Sequence, residues 1–339
     1  MNPAPLSGPP RVLVLGAGSW GTALGSLLVA NCRSVTLFGR HEEVNEEINT
    51  RHANTRYLPD ARLPESLRAT SDLAAAAADA ELILFVVPSA ATREVAADLA
   101  AAGISDSAVL VSCAKGIERG TDMRMSQIIA EQFPRNPIAV LSGPNHAEEV
   151  SRGLATCAVI GSADEAVAVA LQRLCTCPHF RTYTTDDTAG MEIGGAIKNV
   201  FALASGGASG LGLGDNATAA LVTRGLAEMM RLGCALGGRQ ETFIGLSGVG
   251  DLIVTCYSHH SRNFRAGLAL AKGEPREKLG ADGMVVEGVV NTESIYEAAK
   301  RAGVRTPLID AVYDILYNGT SPAAALDNLL TRAPRPENE

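Results

Sequence analysis

Aromatic side chains are scarce in this chain: they make up 4% of its 339 residues, and only one of them is a tryptophan. The hydrophobic fraction is nevertheless 46%, so alanine, valine, leucine and isoleucine must build the core. Such a composition is typical of an α/β protein with many helices. Apolar runs long enough to cross a membrane are missing. Residues 1–10 also lack the charged and apolar regions of a signal peptide, so a cytoplasmic protein is expected.

An excess of positive charge and a metal-binding cysteine pattern are missing as well. The formal net charge is −8, which argues against a nucleic-acid partner and leaves any substrate phosphate to a few local cations. Among seven cysteines, Cys175 and Cys177 are spaced C-x-C without a histidine-rich segment beside them. The sequence therefore predicts reduced thiols, with neither a zinc site nor a disulfide framework.

A glycine turn near the start of the chain predicts dinucleotide binding. The apolar run 12–15 is followed by Gly16, Gly18 and Gly21 in the order G-x-G-x-x-G, then by an alanine- and leucine-rich helix pattern and a second apolar run, 35–38. The first glycine permits the tight turn, the second lets the backbone approach a pyrophosphate, and the third lets the helix lie on the sheet. Free N–H groups at the start of the helix would hold the anion.

The end of the second predicted strand indicates which dinucleotide is preferred. An NAD-selective site usually has Asp or Glu there, bonded to the ribose 2′-hydroxyl, whereas this chain has Gly39, Arg40 and His41. Arg40 can pair with a 2′-phosphate and stack on the adenine. NADPH is therefore the expected cofactor, with NADH also accepted.

Strands alternate with helices as far as residue 185 and then disappear. This alternation predicts a doubly wound Rossmann-type parallel sheet in residues 1–185 and an all-helical substrate and catalytic domain in 186–339, with a disordered tail from about residue 333. Ligands of such sheets gather beyond the carboxyl ends of the strands. The loops 16–21, 114–117 and 143–146 leave those ends, so we expect them to converge on one crevice.

Four charged or polar stretches lie among small and apolar residues. Lys115 follows a strand, where it can neutralise a phosphate. Lys198 lies in an apolar helix, where burial would lower its pKa and fit it for proton transfer. Asp251 follows a glycine-rich loop and needs a cation, for which Lys198 is the candidate. The segment 261–263, Ser-Arg-Asn, offers hydroxyl, guanidinium and amide groups suited to phosphate oxygens.

With these residues the chain closely resembles the bacterial-type NAD(P)-dependent glycerol-3-phosphate dehydrogenases. The matching segments cover nearly all of the chain, in the family's order: Gly16-Ala-Gly-Ser-Trp-Gly-Thr-Ala, Ser112-Cys-Ala-Lys-Gly-Ile-Glu, Leu141-Ser-Gly-Pro-Asn-His-Ala-Glu-Glu, Gly194-Gly-Ala-Ile-Lys-Asn-Val, Gly210-Leu-Gly-Leu-Gly-Asp-Asn-Ala, Leu221-Val-Thr-Arg-Gly-Leu-Ala-Glu-Met, Gly248-Val-Gly-Asp-Leu, Ser261-Arg-Asn and Val286-Glu-Gly. The segments before Arg11 and after Arg332 lie outside the shared core.

The resemblance implies reversible hydride transfer between NADPH and dihydroxyacetone phosphate, which yields sn-glycerol 3-phosphate for glycerophospholipid synthesis. It implies that Lys198 is the acid/base. It implies a substrate pocket lined by Lys115, Gly143, Asn145, Lys198, Asp251, Ser261, Arg262 and Asn263; many relatives carry Ser or Thr in place of Asn145. It also implies cofactor contacts from Ser19, Trp20, Arg40, His41, Lys115, Ala147, Arg262, Val285 and Glu287, beside Gly16, Gly18 and Gly21.

Two alternatives stay open at this point. Another two-domain NADP-linked reductase, of the β-hydroxyacid or ketopantoate type, would also combine a Rossmann domain with a helix lysine. A cofactor-sensing protein without activity would require degraded active-site positions, and those of this chain are intact. The sequence leaves the oligomeric state open, a homodimer included.

Overall fold

The computed structural model describes residues 6, 8–280 and 284–337. Residues 1–5 and 7, in the segment predicted to lack a signal peptide, therefore lie outside the described residues. So do residues 338 and 339, at the end of the tail predicted to be disordered. Within them, eight strands form one sheet: β1 (Arg11–Leu15), β2 (Ser34–Phe38), β3 (Arg68–Thr70), β4 (Leu82–Phe85), β5 (Val109–Ser112), β6 (Ile138–Ser142), β7 (Thr156–Gly161) and β8 (Phe180–Thr185).

The helices fall into two groups, before and after residue 186. Those of the sheet half are α1 (Ser19–Leu28), α2 (Glu42–Arg51), α3 (Leu73–Ala77), α4 (Thr92–Ala102), α5 (Met125–Gln132), α6 (Ala147–Val150) and α7 (Glu165–Cys175). Those of the helical half are α8 (Thr188–Gly210), α9 (Gly214–Ala235), α10 (Gln240–Phe243), α11 (Asp251–Tyr257), α12 (Arg262–Ala271), α13 (Glu287–Arg301), α14 (Pro307–Tyr317) and α15 (Pro322–Leu330).

The strand order is β3-β2-β1-β4-β5-β6-β7-β8, which confirms the doubly wound Rossmann-type sheet. Neighbouring strands are parallel with one exception, the antiparallel pair β6–β7, which departs from the all-parallel order that the sequence predicts. Residues 143–155 between these strands contain only the four-residue helix α6. A parallel return usually needs a longer crossover helix, so the chain turns back beside β6 instead.

Both faces of the sheet are covered, as expected for parallel strands. Val12 and Val14 of β1 belong to one buried apolar cluster, which includes residues of α1 and α7. Leu13 and Leu15 point to the opposite face and join a second cluster with residues of α4 and α5. A third cluster fills the helical half. The alternation explains why β1 reads as an uninterrupted apolar run.

The long helix α8 organises the helical half, because α9, α11, α12 and α13 all pack against it. It also contacts β6, so its middle section lies against the sheet half. Glycines permit the closest of these contacts. A Cβ atom on Gly206 would lie 1.9 Å from the Phe264 carbonyl oxygen, and one on Gly267 would lie 2.0 Å from that of Leu203. The backbones of α8 and α12 therefore touch where these glycines meet.

Candidate active site

The glycine turn after β1 has the geometry that a dinucleotide requires. Gly16 has a φ of +118°, and a Cβ atom there would lie 2.5 Å from the Val86 carbonyl oxygen. A Cβ atom on Gly21 would lie 1.9 Å from the Gly16 oxygen, whereas one on Gly18 would meet nothing within 4 Å. Gly18 precedes α1 without a side-chain cap. The open space beside uncapped N–H groups fits a pyrophosphate.

Arg40 and His41 follow β2 and are both exposed. Among the described residues, none makes a hydrogen bond or ion pair with the Arg40 guanidinium, and the His41 Nδ1 lies 3.7 Å from a Glu43 carboxylate oxygen. A guanidinium at this strand end is available to an anion of the cofactor. The other predicted cofactor contacts near α1 are Ser19 and Trp20, which begin that helix, and Ala147, which begins α6 and is buried. Helices α1 and α6 pack against each other.

Lys198 and Asp251 form a buried ion pair in the helical half. The Lys198 Nζ donates to Asp251 Oδ1 at 2.6 Å and to Thr255 Oγ1 at 2.7 Å, and the exposed fraction of Lys198 is 5%. The Thr255 hydroxyl donates in turn to the Asp251 carbonyl at 2.6 Å. Lys198 lies on α8, and the other two residues are one turn apart on α11. The pairing predicted for Asp251 is confirmed.

Lys115 brings the sheet half to the same carboxylate. Its Nζ donates to Asp251 Oδ2 at 2.6 Å, to the Gly143 carbonyl at 3.2 Å and to Asn145 Oδ1 at 3.4 Å. A Cβ atom on Gly195 of α8 would lie 3.3 Å from the Lys115 Cγ. The absence of a side chain at Gly195 therefore leaves room for the aliphatic part of Lys115. Two of the three loops predicted to converge, those after β5 and β6, therefore meet at the crevice, with Asp251 between two ammonium groups.

Burial and charge set the protonation states at this centre. Burial lowers the pKa of Lys198 to about 8, against the attraction of Asp251, and the nearby Lys115 lowers it as well. Burial would raise the pKa of Asp251, but the ammonium groups of Lys115 and Lys198 hold it below its usual range. The carboxylate is thus ionised at neutral pH, and Lys198 exchanges its proton close to that pH.

The Ser-Arg-Asn segment 261–263 begins α12. The Ser261 Oγ accepts the Phe264 N–H at 3.1 Å and caps the helix. The Asn263 side chain is buried and structural in its contacts: its Nδ2 donates to Asn199 Oδ1 and its Oδ1 accepts the Gly288 N–H, both at 2.8 Å. Arg262 is exposed and donates to the Val285 carbonyl at 2.8 Å. Its guanidinium is the group of this segment that faces solvent.

Glu287, the first residue of α13, joins the two halves. Its carboxylate accepts the Ser89 N–H at 3.0 Å and the Ser89 Oγ–H at 2.6 Å. Asn291, one turn later, donates to the same carboxylate at 2.8 Å, and its Oδ1 accepts the Ile117 N–H at 3.2 Å. The loop that carries Lys115 and the loop after β4 are thus fastened to one helix.

Sequence reasoning did not single out Thr255, Asn199 or Asn291. Thr255 lies one helical turn after Asp251, and Asn199 follows Lys198, so their spacing could have suggested them. Asn291 likewise lies one turn after Glu287, but its contacts with Ile117 and Lys115 carry no sequence signal, because those residues lie more than a hundred positions away in the chain. No helix among the described residues is long and apolar enough to cross a membrane.

The sheet, the glycine turn and the buried lysine between the two halves define a two-domain nicotinamide-dinucleotide dehydrogenase. Two models of the NAD-dependent glycerol-3-phosphate dehydrogenases match the chain, the amino-terminal one over residues 11–168 and the carboxy-terminal one over residues 187–327. The chain belongs to this family.

Individual relatives of the chain are named glycerol-3-phosphate dehydrogenases as well. Glycerol-3-phosphate dehydrogenase [NAD(P)+] of Enterococcus faecalis is 47% identical over 97% of this chain and 98% of its own length. The enzyme of the same name from Geobacillus kaustophilus is 47% identical over 96% of each chain. The crystal structure of glycerol-3-phosphate dehydrogenase from Coxiella burnetii superimposes with a TM-score of 0.91 at 38% identity, covering 96% of this chain and 99% of that one.

The alternative family is more distant. A ketopantoate reductase from Ralstonia eutropha shares the fold, with a TM-score of 0.60, but is only 16% identical over 93% of this chain and 99% of its own. It resembles this chain in fold alone.

Proposed function

We propose that the chain reduces dihydroxyacetone phosphate to sn-glycerol 3-phosphate with NADPH, and accepts NADH, to supply glycerophospholipid synthesis. The observation that carries the proposal is the buried Lys198. Its ammonium uses two of three N–H donors on Asp251 and Thr255 and keeps the third for a substrate oxygen. A phosphorylated ketone also needs local cations in a chain of net charge −8, and Lys115 and Arg262 supply them.

The proposed chemistry follows from these contacts. When bound, NADPH supplies the hydride that reduces C2 of the ketone. Negative charge then grows on the C2 oxygen, and the Lys198 ammonium stabilises and protonates it, an effect of about 10²- to 10⁴-fold for general acid catalysis. Asp251 holds the two ammonium groups in place. The substrate phosphate, remote from C2, fixes the ketone against Lys198 and so contributes to the rate.

The site residues keep the roles that the resemblance implies. We assign the substrate to Lys115, Gly143, Asn145, Lys198, Asp251, Ser261, Arg262 and Asn263. We assign the cofactor to Gly16, Gly18, Ser19, Trp20, Gly21, Arg40, His41, Lys115, Ala147, Arg262, Val285 and Glu287. In this proposal residues 1–185 bind the dinucleotide and residues 186–339 supply the acid/base. The space at Gly18 and the free Arg40 guanidinium support the cofactor assignment.

A cytoplasmic location and a homodimer complete the proposal. All seven cysteines are free, as is usual for proteins of reducing compartments. Ile253 and Tyr257, one turn apart on α11, are about half exposed and would be covered by a second copy. Light scattering coupled to size-exclusion chromatography gives the mass in solution, and a monomer at all concentrations contradicts the dimer.

The test of the function is NADPH oxidation with a panel of ketones. We expect turnover with dihydroxyacetone phosphate and none with ketopantoate or a β-ketoacid. Lys198→Ala should abolish turnover and leave NADPH binding, measured by titration, largely intact. Turnover with ketopantoate alone, or near-normal rates in the Lys198 variant, would refute the proposal.

A further inference from the structure

Three buried polar atoms near the carboxyl end of β6 have no hydrogen-bond partner among the described residues. They are the Ser142 Oγ, the Asn145 Nδ2 and the His146 Nε2. A buried polar group without a partner costs free energy, so a native protein usually supplies one. Lys115 and Lys198 already pair with Asp251 beside these atoms. These unpaired polar atoms therefore indicate that a ligand binds in the crevice.

His146 directly follows Asn145, and the charged groups around it are those of the reaction centre. Burial lowers the pKa of His146, and Lys198 and Lys115 lower it further, whereas Asp251 and Glu148 act in the opposite direction. These groups come from α8, the loop after β5, α11 and α6. The imidazole is consequently neutral at physiological pH, and one ring nitrogen carries a hydrogen that it can donate.

The His146 ring lies near the segment that is proposed to bind the substrate phosphate. Its centroid lies 6.3 Å from that of His260, which immediately precedes the segment 261–263. This segment includes the solvent-facing guanidinium of Arg262, which the proposed function assigns to the substrate phosphate. His146 thus lies near both the acid/base and the phosphate-binding segment.

We propose that His146 is a further substrate-binding residue, whose Nε2–H donates a hydrogen bond to the phosphate end of the substrate. This inference rests on the proposed function, because it takes dihydroxyacetone phosphate as the ligand. A neutral donor suits this place, since Lys115, Lys198 and Arg262 already supply the positive charge. Its contribution is to binding and orientation rather than to proton transfer.

The first experiment measures steady-state kinetics of His146→Phe and His146→Gln with dihydroxyacetone phosphate and NADPH. Loss of a hydrogen bond to a charged group should raise the KM for the ketone about 10- to 100-fold in the phenylalanine variant. The kcat should change much less, and the KM for NADPH should stay the same. The glutamine variant, which retains an N–H donor, should recover part of the loss. His179→Gln, an exposed histidine before β8, is the matched control.

The second experiment follows the imidazole nitrogen resonances of the NADP⁺-bound enzyme, with the His146 signal identified by its absence from the glutamine variant. Addition of inorganic phosphate, and of sn-glycerol 3-phosphate, should move this signal. A KM unchanged in His146→Phe, or a His146 signal that ignores phosphate, overturns the proposal. If the unaltered chain does not reduce dihydroxyacetone phosphate at all, the proposed function has failed instead.

Discussion

Lys198 contacts Asp251 and Thr255 in a buried position, and burial brings its pKa close to neutral pH. In the direction of reduction the ammonium form must donate, so activity should fall as pH rises through the pKa of about 8. The oxidation of sn-glycerol 3-phosphate needs the neutral amine and should rise over the same interval. Rate profiles measured in both directions check this, and two profiles of the same shape would contradict it.

Asp251→Asn tests the same pH dependence, because the substitution should change the pKa of Lys198. Without the carboxylate, Lys198 loses its compensating charge while Lys115 still repels it, so the pKa of Lys198 should fall. The alkaline limb of the reduction profile should then move below pH 8, and the maximal rate should fall too. An unshifted limb would mean that another group gives rise to it.

Arg40 determines the preference between the two cofactors in this proposal. Arg40→Glu replaces a guanidinium available to the 2′-phosphate by a carboxylate that repels it and can bind the ribose 2′-hydroxyl. We expect the KM for NADPH to rise by at least about tenfold, the loss of one charge-assisted contact, while the KM for NADH changes little. Equal effects on the two cofactors would contradict the assignment.

How far the sequence predicts the site depends on where each partner comes from. The pairing of Lys198 with Asp251 was predictable, because a carboxylate among apolar residues needs a cation. Ser261 and Asn263 were predicted as phosphate ligands, and the sequence did not show that one caps α12 and the other joins Asn199 to Gly288. The unmet Nε2 of His146 is visible only after β6, α8 and α11 have come together.

The crossing of α8 and α12 depends on the absence of side chains at two glycines. Gly267→Ala places a methyl group 2.0 Å from the Leu203 carbonyl oxygen, so the helices must separate. We expect the free energy of unfolding to fall by about 1–3 kcal/mol. The matched control is Gly207→Ala, on the α8 side of the same crossing, where a Cβ atom would lie 3.9 Å from the Gly267 oxygen. It should stabilise by about 0.5–1 kcal/mol.

Urea unfolding of both variants, followed by circular dichroism, measures these changes. A Gly267 variant as stable as the Gly207 variant would show that the helices tolerate separation. The result also bears on catalysis, because α12 carries Arg262 and α8 carries Lys198.

Most of the sheet was predictable because its strands are short apolar runs between turn signals. Strand β3 was missed: it has three residues, two of them Arg68 and Thr70, at the edge of the sheet, and so it lacks an apolar pattern. The antiparallel pairing of β7 was missed for a different reason. Direction depends on the path of the connection, which composition does not specify.

The two halves are joined away from the crevice by a buried ion pair. Glu192 of α8 accepts the Ser126 N–H at 2.7 Å, the Ser126 hydroxyl at 2.6 Å and the Arg124 Nη1 at 2.8 Å, all at the start of α5. Burial raises the pKa of Glu192 despite these partners. Glu192→Ala leaves the guanidinium without its partner and should lower the free energy of unfolding by about 3–5 kcal/mol.

A double-variant cycle separates pairing from burial. Glu192→Ala combined with Arg124→Met should be more stable than Glu192→Ala alone, because no charge is then left unpaired. Glu131→Ala, which removes an exposed partner of Arg93, is the control and should cost less than about 1 kcal/mol. Additive effects in the cycle would show that Glu192 and Arg124 do not interact.

Trp20 is the only indole of the chain, and it lies between Gly18 and Gly21, in the first turn of α1. Selective excitation of tryptophan therefore gives fluorescence from a single known position. A nucleotide that binds at the glycine turn lies close to the indole and changes its fluorescence emission. The unlabelled protein thus carries its own optical probe, with which cofactor occupancy can be followed in real time without any substrate turning over.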